Sequence, residues 1–288
     1  MAKPLAYIIN GLGIGCHKEV AHAFEKAGAE AEIVHYRTLL AGGRDFLFKS
    51  KLVNASGGFL HGDMGGAGMY AANELEHSGI KELLIEYAQK GNVIYGQCNG
   101  FQLLVRTGLL PGINGDYSKQ TVTLAHNDCG NYFVTFAPHR IERKHFAFEG
   151  IDEPVLNVWC RHGEGKIQFS SGYGLISKEA GEKNRQSVNE SHVLMRYVNP
   201  ATCEPTQEFP YNPNGSVDAI AGLVDSSGNI IGHMCHPEAG IYLSRDPSFF
   251  RWKDELRRQG VKAKDLDEKK LEAVCLKIFK NLVDHLKE

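Results

Sequence analysis

Five consecutive residues, Gly96-Gln97-Cys98-Asn99-Gly100, set a thiol between two glycines, after an apolar run (92–95) and before a helix-like run (101–106). A strand that turns sharply into a helix has no space for β-carbons at the flanking positions and lifts its apex residue above the sheet, the nucleophile-elbow pattern. The following helix favours the thiolate, because its first N–H groups are unpaired and its dipole is positive at that end. A thiol nucleophile needs a base, and the base needs a carboxylate to fix its tautomer and support its charge. His236-Pro237-Glu238 follows the apolar run 230–234, which ends at the same sheet edge as Cys98 if the two strands are parallel. On an extended backbone, His236 and Glu238 point the same way. Cys98, His236 and Glu238 therefore read as a triad for acyl chemistry. The same chemistry requires N–H donors for a tetrahedral oxyanion. Ser56-Gly57-Gly58-Phe59 comes right after the run 51–55, where Gly57 and Gly58 leave their amides open to a ligand, and the amide of Asn99 is the other donor.

The elements that must position these residues follow from hydrophobic periodicity. Residues 5–9 read as a buried strand, 17–28 as an amphipathic helix closed by Gly28, and 31–35 as a second strand, together a βαβ unit. A third strand is expected over 51–55, a long helix within 69–90 and a short strand over 92–95. Short alternating runs follow at 120–125, 132–138, 154–160, 219–224 and 230–234. The economical architecture is α/β: an open, mainly parallel sheet flanked by helices, with an antiparallel extension. One domain spans 1–288. Within it, residues 177–214 are polar and contain Pro200, Pro205, Pro210 and Pro213, so this stretch reads as an insertion of loops, ordered or acting as a flap, with one strand near 192–197. Residues 251–288 form a charged C-terminal helical region. Fourteen of the 22 residues in 251–272 are charged, which reads as a solvated surface first and a docking surface second. Leu271, Val274, Cys275, Ile278, Leu282 and Leu286 give a terminal helix one apolar face.

Composition excludes several classes. The 288 residues carry 32 Lys and Arg against 34 Asp and Glu, for a net charge of −2, and this balance gives no support to a nucleic-acid or membrane-surface protein. No apolar run approaches the roughly 18 residues of a membrane span, and the N-terminus lacks the apolar region of a signal peptide, so a cytoplasmic protein is expected. Seven cysteines form no Cys-x-x-Cys pair, and Cys235-His236 adjacency suits tetrahedral zinc poorly, so no metal is expected. The loop Asn10-Gly11-Leu12-Gly13-Ile14-Gly15 lacks both the glycine spacing and the ribose-binding acid of a dinucleotide module. A cysteine hydrolase or redox-sensing protein on a similar flavodoxin-like scaffold remains the alternative class.

With these motifs in place, the sequence resembles the class I, triad-type glutamine amidotransferases, and within them the glutaminases of phosphoribosylformylglycinamidine synthase. Gly96 to Gln102 with Gly108-Leu109-Leu110-Pro111-Gly112 is similar to that family's nucleophile segment, and Gly57 to Asp63 to its oxyanion loop. His162-Gly163-Glu164-Gly165 and Asn212-Pro213-Asn214-Gly215-Ser216 are also like it, and the resemblance extends from about residue 4 to 245. It implies a flavodoxin-like fold and hydrolysis of L-glutamine to glutamate and ammonia through a Cys98 thioester. It further implies substrate contacts from Gln102, His162 and Gly163, and a synthetase partner, with or without a small third subunit. ATP and magnesium are expected on that partner alone, and no cofactor here. Where the family usually has arginine after His-Pro-Glu, this chain has Ala239, which puts any salt bridge from that position in doubt.

Overall fold

The computed structural model describes residues 2–169, 176–261 and 273–287. Its main sheet has nine strands: β1 (Leu5–Asn10), β2 (Glu30–His35), β3 (Leu52–Ala55), β4 (Val93–Gln97), β6 (Phe133–Ile141), β7 (Leu156–His162), β9 (Val193–Tyr197), β10 (Ile220–Val224) and β11 (Ile230–His233). The order across the sheet is β2-β1-β3-β4-β11-β10-β9-β6-β7. β2, β1, β3, β4 and β11 are mutually parallel, and the remaining pairings are antiparallel. β5 (Thr123–His126) and β8 (Glu164–Gln168) form a separate antiparallel pair.

Alternation along the parallel strands builds two cores, as expected where both faces are covered. Tyr7, Ile9, Val53 and Ile94 face one core with α2 (Tyr36–Leu47), α3 (Met69–Ser78), α4 (Ile80–Gln89) and α5 (Asn99–Arg106). Ala6, Ile8, Leu52, Val93 and Tyr95 face the other, under α1 (His17–Ala27) and α8 (Val274–His285). Gly28 closes α1 in the left-handed conformation, with φ 100°. Cys275, Ile278 and Leu282 of α8 are buried; Leu271 lies outside the described residues.

Two sequence expectations change. The helix sought within 69–90 is two helices, because Gly79 takes φ 73° and ends α3 before α4 begins. Residues 177–214 supply the expected strand, β9, but open with a helix where loops were expected, α6 (Lys178–Ser191), capped by Ser177. β9 lies between β10 and β6 inside the main sheet, so part of this stretch is built into the sheet. Its polar residues misled because α6 buries little more than Gly181 and Val188, while Arg185 makes a bidentate pair with Asp218 at 2.6 and 2.8 Å. Of the charged C-terminal region, α7 (Phe249–Arg258) is helical, and 262–272 lie outside the described residues.

Candidate active site

Cys98 stands at the end of β4 and start of α5 with φ 51° and ψ −111°, a conformation few non-glycine residues adopt. Close packing explains the two glycines beside it. A β-carbon on Gly100 would lie 1.8 Å from the Ala55 carbonyl, and one on Gly96 would lie 2.7 Å from Leu104 Cδ1 and 2.9 Å from Gly100. The elbow exists because α5 rests directly on β3 and β4. Cys98 N–H donates to the His233 carbonyl at 2.9 Å, which ties the nucleophile to β11, the strand that leads to the base.

β11 pairs with β4 in parallel register, His233 opposite Gln97, so both strands end at one edge as the sequence predicts. The backbone after it differs from the expected extended form. Pro237–Gly240 is a single 3-10 turn with proline at its start, and Glu238 returns to His236 within that turn. His236 Nδ1 and Glu238 Oε1 are 2.6 Å apart, and both residues are buried. Burial pushes His236 down, but the Glu238 carboxylate and then the Cys98 thiol outweigh it and hold the imidazole well above its ordinary value. Burial likewise pushes Glu238 up, and the His236 charge and hydrogen bond overcome this and keep it low. Both directions favour an imidazolium beside a carboxylate. Nε2, the nitrogen turned from Glu238, is buried without a hydrogen-bond partner, and the thiol of Cys98 is among the groups that raise the ring's basicity.

Gly57 and Gly58 have different surroundings. Gly58 lines the same cleft as Cys98. Gly57 packs on the base: a β-carbon there would lie 2.7 Å from His236 Cε1 and 3.3 Å from Cys16 Sγ. Its carbonyl accepts from the amides of Gly15 and Cys16 at 3.3 and 3.1 Å. The Asn10–Gly15 loop is accordingly a brace for the Gly57–Gly58 turn, with Phe59 N–H donating to the Gly13 carbonyl at 2.9 Å. Asn99 is the first residue of α5, where a helix leaves its N–H free.

The cleft above Cys98 encloses about 490 Å³ and is lined by Phe59, Asp63, Gln102, Tyr132, His162 and Gly163 among others, a volume in the range of roughly 300–1,000 Å³ typical of small-molecule sites. Gln102 is committed to the wall: its Nε2 donates to the Glu164 carbonyl at 2.5 Å and its Oε1 accepts from Asn99 Nδ2 at 3.0 Å. His162 bonds through Nδ1 to Asn127 Oδ1 at 3.1 Å, its Nε2 is buried without a partner, and burial pushes it down to about 3, so the ring is neutral. The Gly163 carbonyl takes the Asn127 N–H at 2.9 Å.

Sequence reasoning missed Asp63, Arg161 and Glu164 as parts of the site. Asp63 accepts from Asn99 Nδ2 at 2.9 Å and faces the cleft. Arg161 of β7 stands 3.8 Å from Glu238 Oε1 and 3.7 Å from Glu19. A guanidinium therefore reaches the triad carboxylate from a strand distant in sequence, although Ala239 follows Glu238. Asp63 and Glu164 lie in motifs that could have pointed to them, Gly57 to Asp63 and His162 to Gly165, while Arg161 left no local signal.

Cys16 Sγ, His236 and Glu238 offer donor atoms within 4.8 Å of one another. The 2.6 Å between His236 and Glu238 is hydrogen-bond spacing; two ligands of a tetrahedral zinc, with bonds of about 2.0–2.1 Å, stand roughly 3.3 Å apart. As arranged, the cluster shares a proton and does not fit an ion.

Comparison with known proteins agrees with this geometry. The model of the CobB/CobQ-like glutamine amidotransferase domain matches residues 3–284. This chain belongs to that amidotransferase family. It is similar to phosphoribosylformylglycinamidine synthase subunit PurQ of Methanococcus maripaludis, at 31% identity over 98% of this chain and 97% of the relative. A protein of the same description from Dehalococcoides mccartyi is 34% identical over 90% of this chain and 94% of its own length. A chain of the solved PurLQS structure from Thermotoga maritima shares the fold, with a TM-score of 0.64 at 23% identity and 99% of each chain covered. The flavodoxin-like expectation holds, and family membership disfavours the redox or unrelated hydrolase reading. Among the described residues, no helix is long and apolar enough to cross a membrane.

Proposed function

We propose that this amidotransferase hydrolyses L-glutamine through Cys98, His236 and Glu238 and delivers ammonia to an ATP-dependent synthetase that makes phosphoribosylformylglycinamidine in purine biosynthesis. The observation that carries the reading is the buried 2.6 Å His236–Glu238 pair beside a cysteine held at positive φ in an elbow. The Cys98 thiol gives its proton to His236, its sulfur bonds to the side-chain amide carbon, and the N–H groups of Gly58 and Asn99 receive the oxyanion. His236 Nε2 gives its proton to the departing nitrogen, the C–N bond breaks, and a γ-glutamyl thioester remains. Water then attacks as His236 takes back a proton, the C–S bond breaks, and glutamate leaves. Gln102, His162 and Gly163 form the wall that holds the amino-acid end of the substrate.

The likeness to PurQ subunits of phosphoribosylformylglycinamidine synthase supports the product and the partner, a synthetase with or without a small third subunit. ATP and magnesium belong to that synthetase, this chain needs no cofactor, and the complex works in the cytoplasm. The test is mass-spectrometric mapping after treatment with a glutamine-shaped diazoketone, with free L-glutamine as competitor, with and without the synthetase. Cys98 labelling that glutamine suppresses is the expected result. Absence of such labelling even with the synthetase and its substrates sinks the reading.

A further inference from the structure

Two amides lie where the fold calls for apolar side chains. Asn54 of β3 and Gln97 of β4 alternate in phase with Leu52, Val93 and Tyr95, on the face covered by α1 and α8, and both are 0% exposed. Buried amides are destabilising unless their hydrogen bonds are made, and here the bonds run in one direction. Asn54 Nδ2 donates to the Tyr95 carbonyl at 3.1 Å and to Gln97 Oε1 at 2.6 Å. Ser56 Oγ donates to Asn54 Oδ1 at 3.0 Å. Gln97 Nε2 then faces Glu238 Oε2 at 3.5 Å.

We propose that Asn54 and Gln97 are positioning residues: a directional relay that presents an N–H to Glu238 and so aims its other oxygen at His236. The inference rests on the triad reading above and deepens it. A backbone carbonyl only accepts, so the Tyr95 carbonyl fixes which end of the Asn54 amide faces it. That orientation commits the second Asn54 N–H to Gln97 Oε1, which leaves Gln97 Nε2 towards Glu238. A flipped Gln97 would set its oxygen against a carboxylate oxygen. Asn54 therefore controls the triad without touching it.

The device answers a need of the local backbone. Glu238 sits in a single 3-10 turn, outside the sheet ladders, whereas Asn54 and Gln97 sit on adjacent central strands. Arg161 approaches Oε1, the oxygen already bonded to His236, and Gln97 reaches Oε2. The remaining titratable groups that feel Glu238 are Tyr95 of β4, His233 and Cys235 at the end of β11, and Cys275 of α8; all stay in place in the variants below.

The test uses the full-length chain, assayed for glutamine hydrolysis with its synthetase across pH and for Cys98 alkylation by iodoacetamide without it. Two variants divide the possibilities. Gln97→Glu keeps the shape: when protonated, the introduced carboxyl donates to Glu238, and when ionised it repels it. Its kcat is expected to fall about tenfold at alkaline pH, the scale of one hydrogen bond to a charged group, with KM for glutamine unchanged and the deficit shrinking as pH falls. The paired Asn54→Leu and Gln97→Leu variant removes both amides together, so neither is left facing the other, but it takes a partner from Ser56 Oγ and from Glu238 Oε2 and should unfold at a lower temperature than wild type. Where it folds, it should show a similar loss of kcat and slower Cys98 alkylation at neutral pH. If both variants reproduce the wild-type pH profile and alkylation rate, the relay is wrong. If the wild-type protein itself shows no Cys98-dependent hydrolysis with the synthetase, the proposed function fails, an outcome distinguishable from failure of the relay alone. If the leucine pair does not fold, Gln97→Glu decides.

Discussion

Gly57 and His236 are in direct contact: the imidazole lies where a side chain at 57 would be, with 2.7 Å between Cε1 and the position of a β-carbon. Both backbones are anchored, Gly57 through its carbonyl to the Gly15 and Cys16 amides and His236 through its N–H to the Trp159 carbonyl at 2.7 Å. Gly57→Ala must therefore move the ring. A misplacement of about 1 Å at a catalytic group costs on the order of 100-fold in rate. We expect kcat for glutamine hydrolysis to fall by about that factor while circular dichroism stays native. Wild-type turnover would show that the ring has room to yield.

Cys98 predicts an exchange of stability for activity. Its φ of 51° costs a non-glycine residue about 1–3 kcal/mol, whereas glycine takes that conformation freely at an entropic cost of roughly 0.5–1 kcal/mol. Cys98→Gly should abolish hydrolysis and leave the unfolding free energy equal to or above wild type. Gly100→Ala, two residues on, should instead lose about 3 kcal/mol or more, since its β-carbon would meet the Ala55 carbonyl at 1.8 Å. Denaturant melts of the two variants check both signs.

Much of this site was legible in the sequence because the chemistry depends on local order. The elbow, the glycine turn and His-Pro-Glu each sit at the end of an apolar run, and the parallel register of β3, β4 and β11 carries all three to one edge. What stayed hidden depends on tertiary partners. Asn54 and Gln97 are polar side chains within or beside apolar runs, and only strand adjacency shows that they are bonded to each other. Arg161 belongs to a strand whose place in the sheet no periodicity gives. α6 escaped because a polar helix with few buried residues has the composition of a loop.

The His236–Glu238 pair makes stability depend on pH in a bounded window. Glu238 is held below its ordinary value of 4.5, so its contribution is present above that pH and is lost as pH falls through the lowered value. His236 is held above its ordinary value of 6.5, so its contribution is complete below that pH and is lost as pH rises through the raised value. The two overlap between these limits. The gap in melting temperature between wild type and Glu238→Gln should thus be widest near pH 5–6.5 and narrow on both sides. A gap that is flat with pH would show that the pair is not ionised as described.

Glu164 and Arg106 form a partly buried ion pair in the wall of the site, at 2.6 Å with side chains 12% and 10% exposed. Glu164 also accepts from the Ala67 N–H at 3.2 Å, and its backbone carbonyl holds Gln102 Nε2 at 2.5 Å. Removing one partner of such a pair leaves a charge uncompensated in a poorly solvated place and costs up to about 3–5 kcal/mol, the figure for a fully buried pair, whereas removing both costs much less. Arg106→Met alone should therefore lower stability strongly, and the paired Arg106→Met and Glu164→Leu variant should recover most of it. Function separates the two readings of the wall. The pair shapes the cleft through Gln102 and stands apart from the His236–Glu238 contact, so the double variant should raise KM for glutamine several-fold while kcat stays within about threefold, the pattern of lost ground-state binding. A fall in kcat at unchanged KM would instead place Glu164 in the reacting machinery, and steady-state kinetics with the synthetase distinguishes the two outcomes.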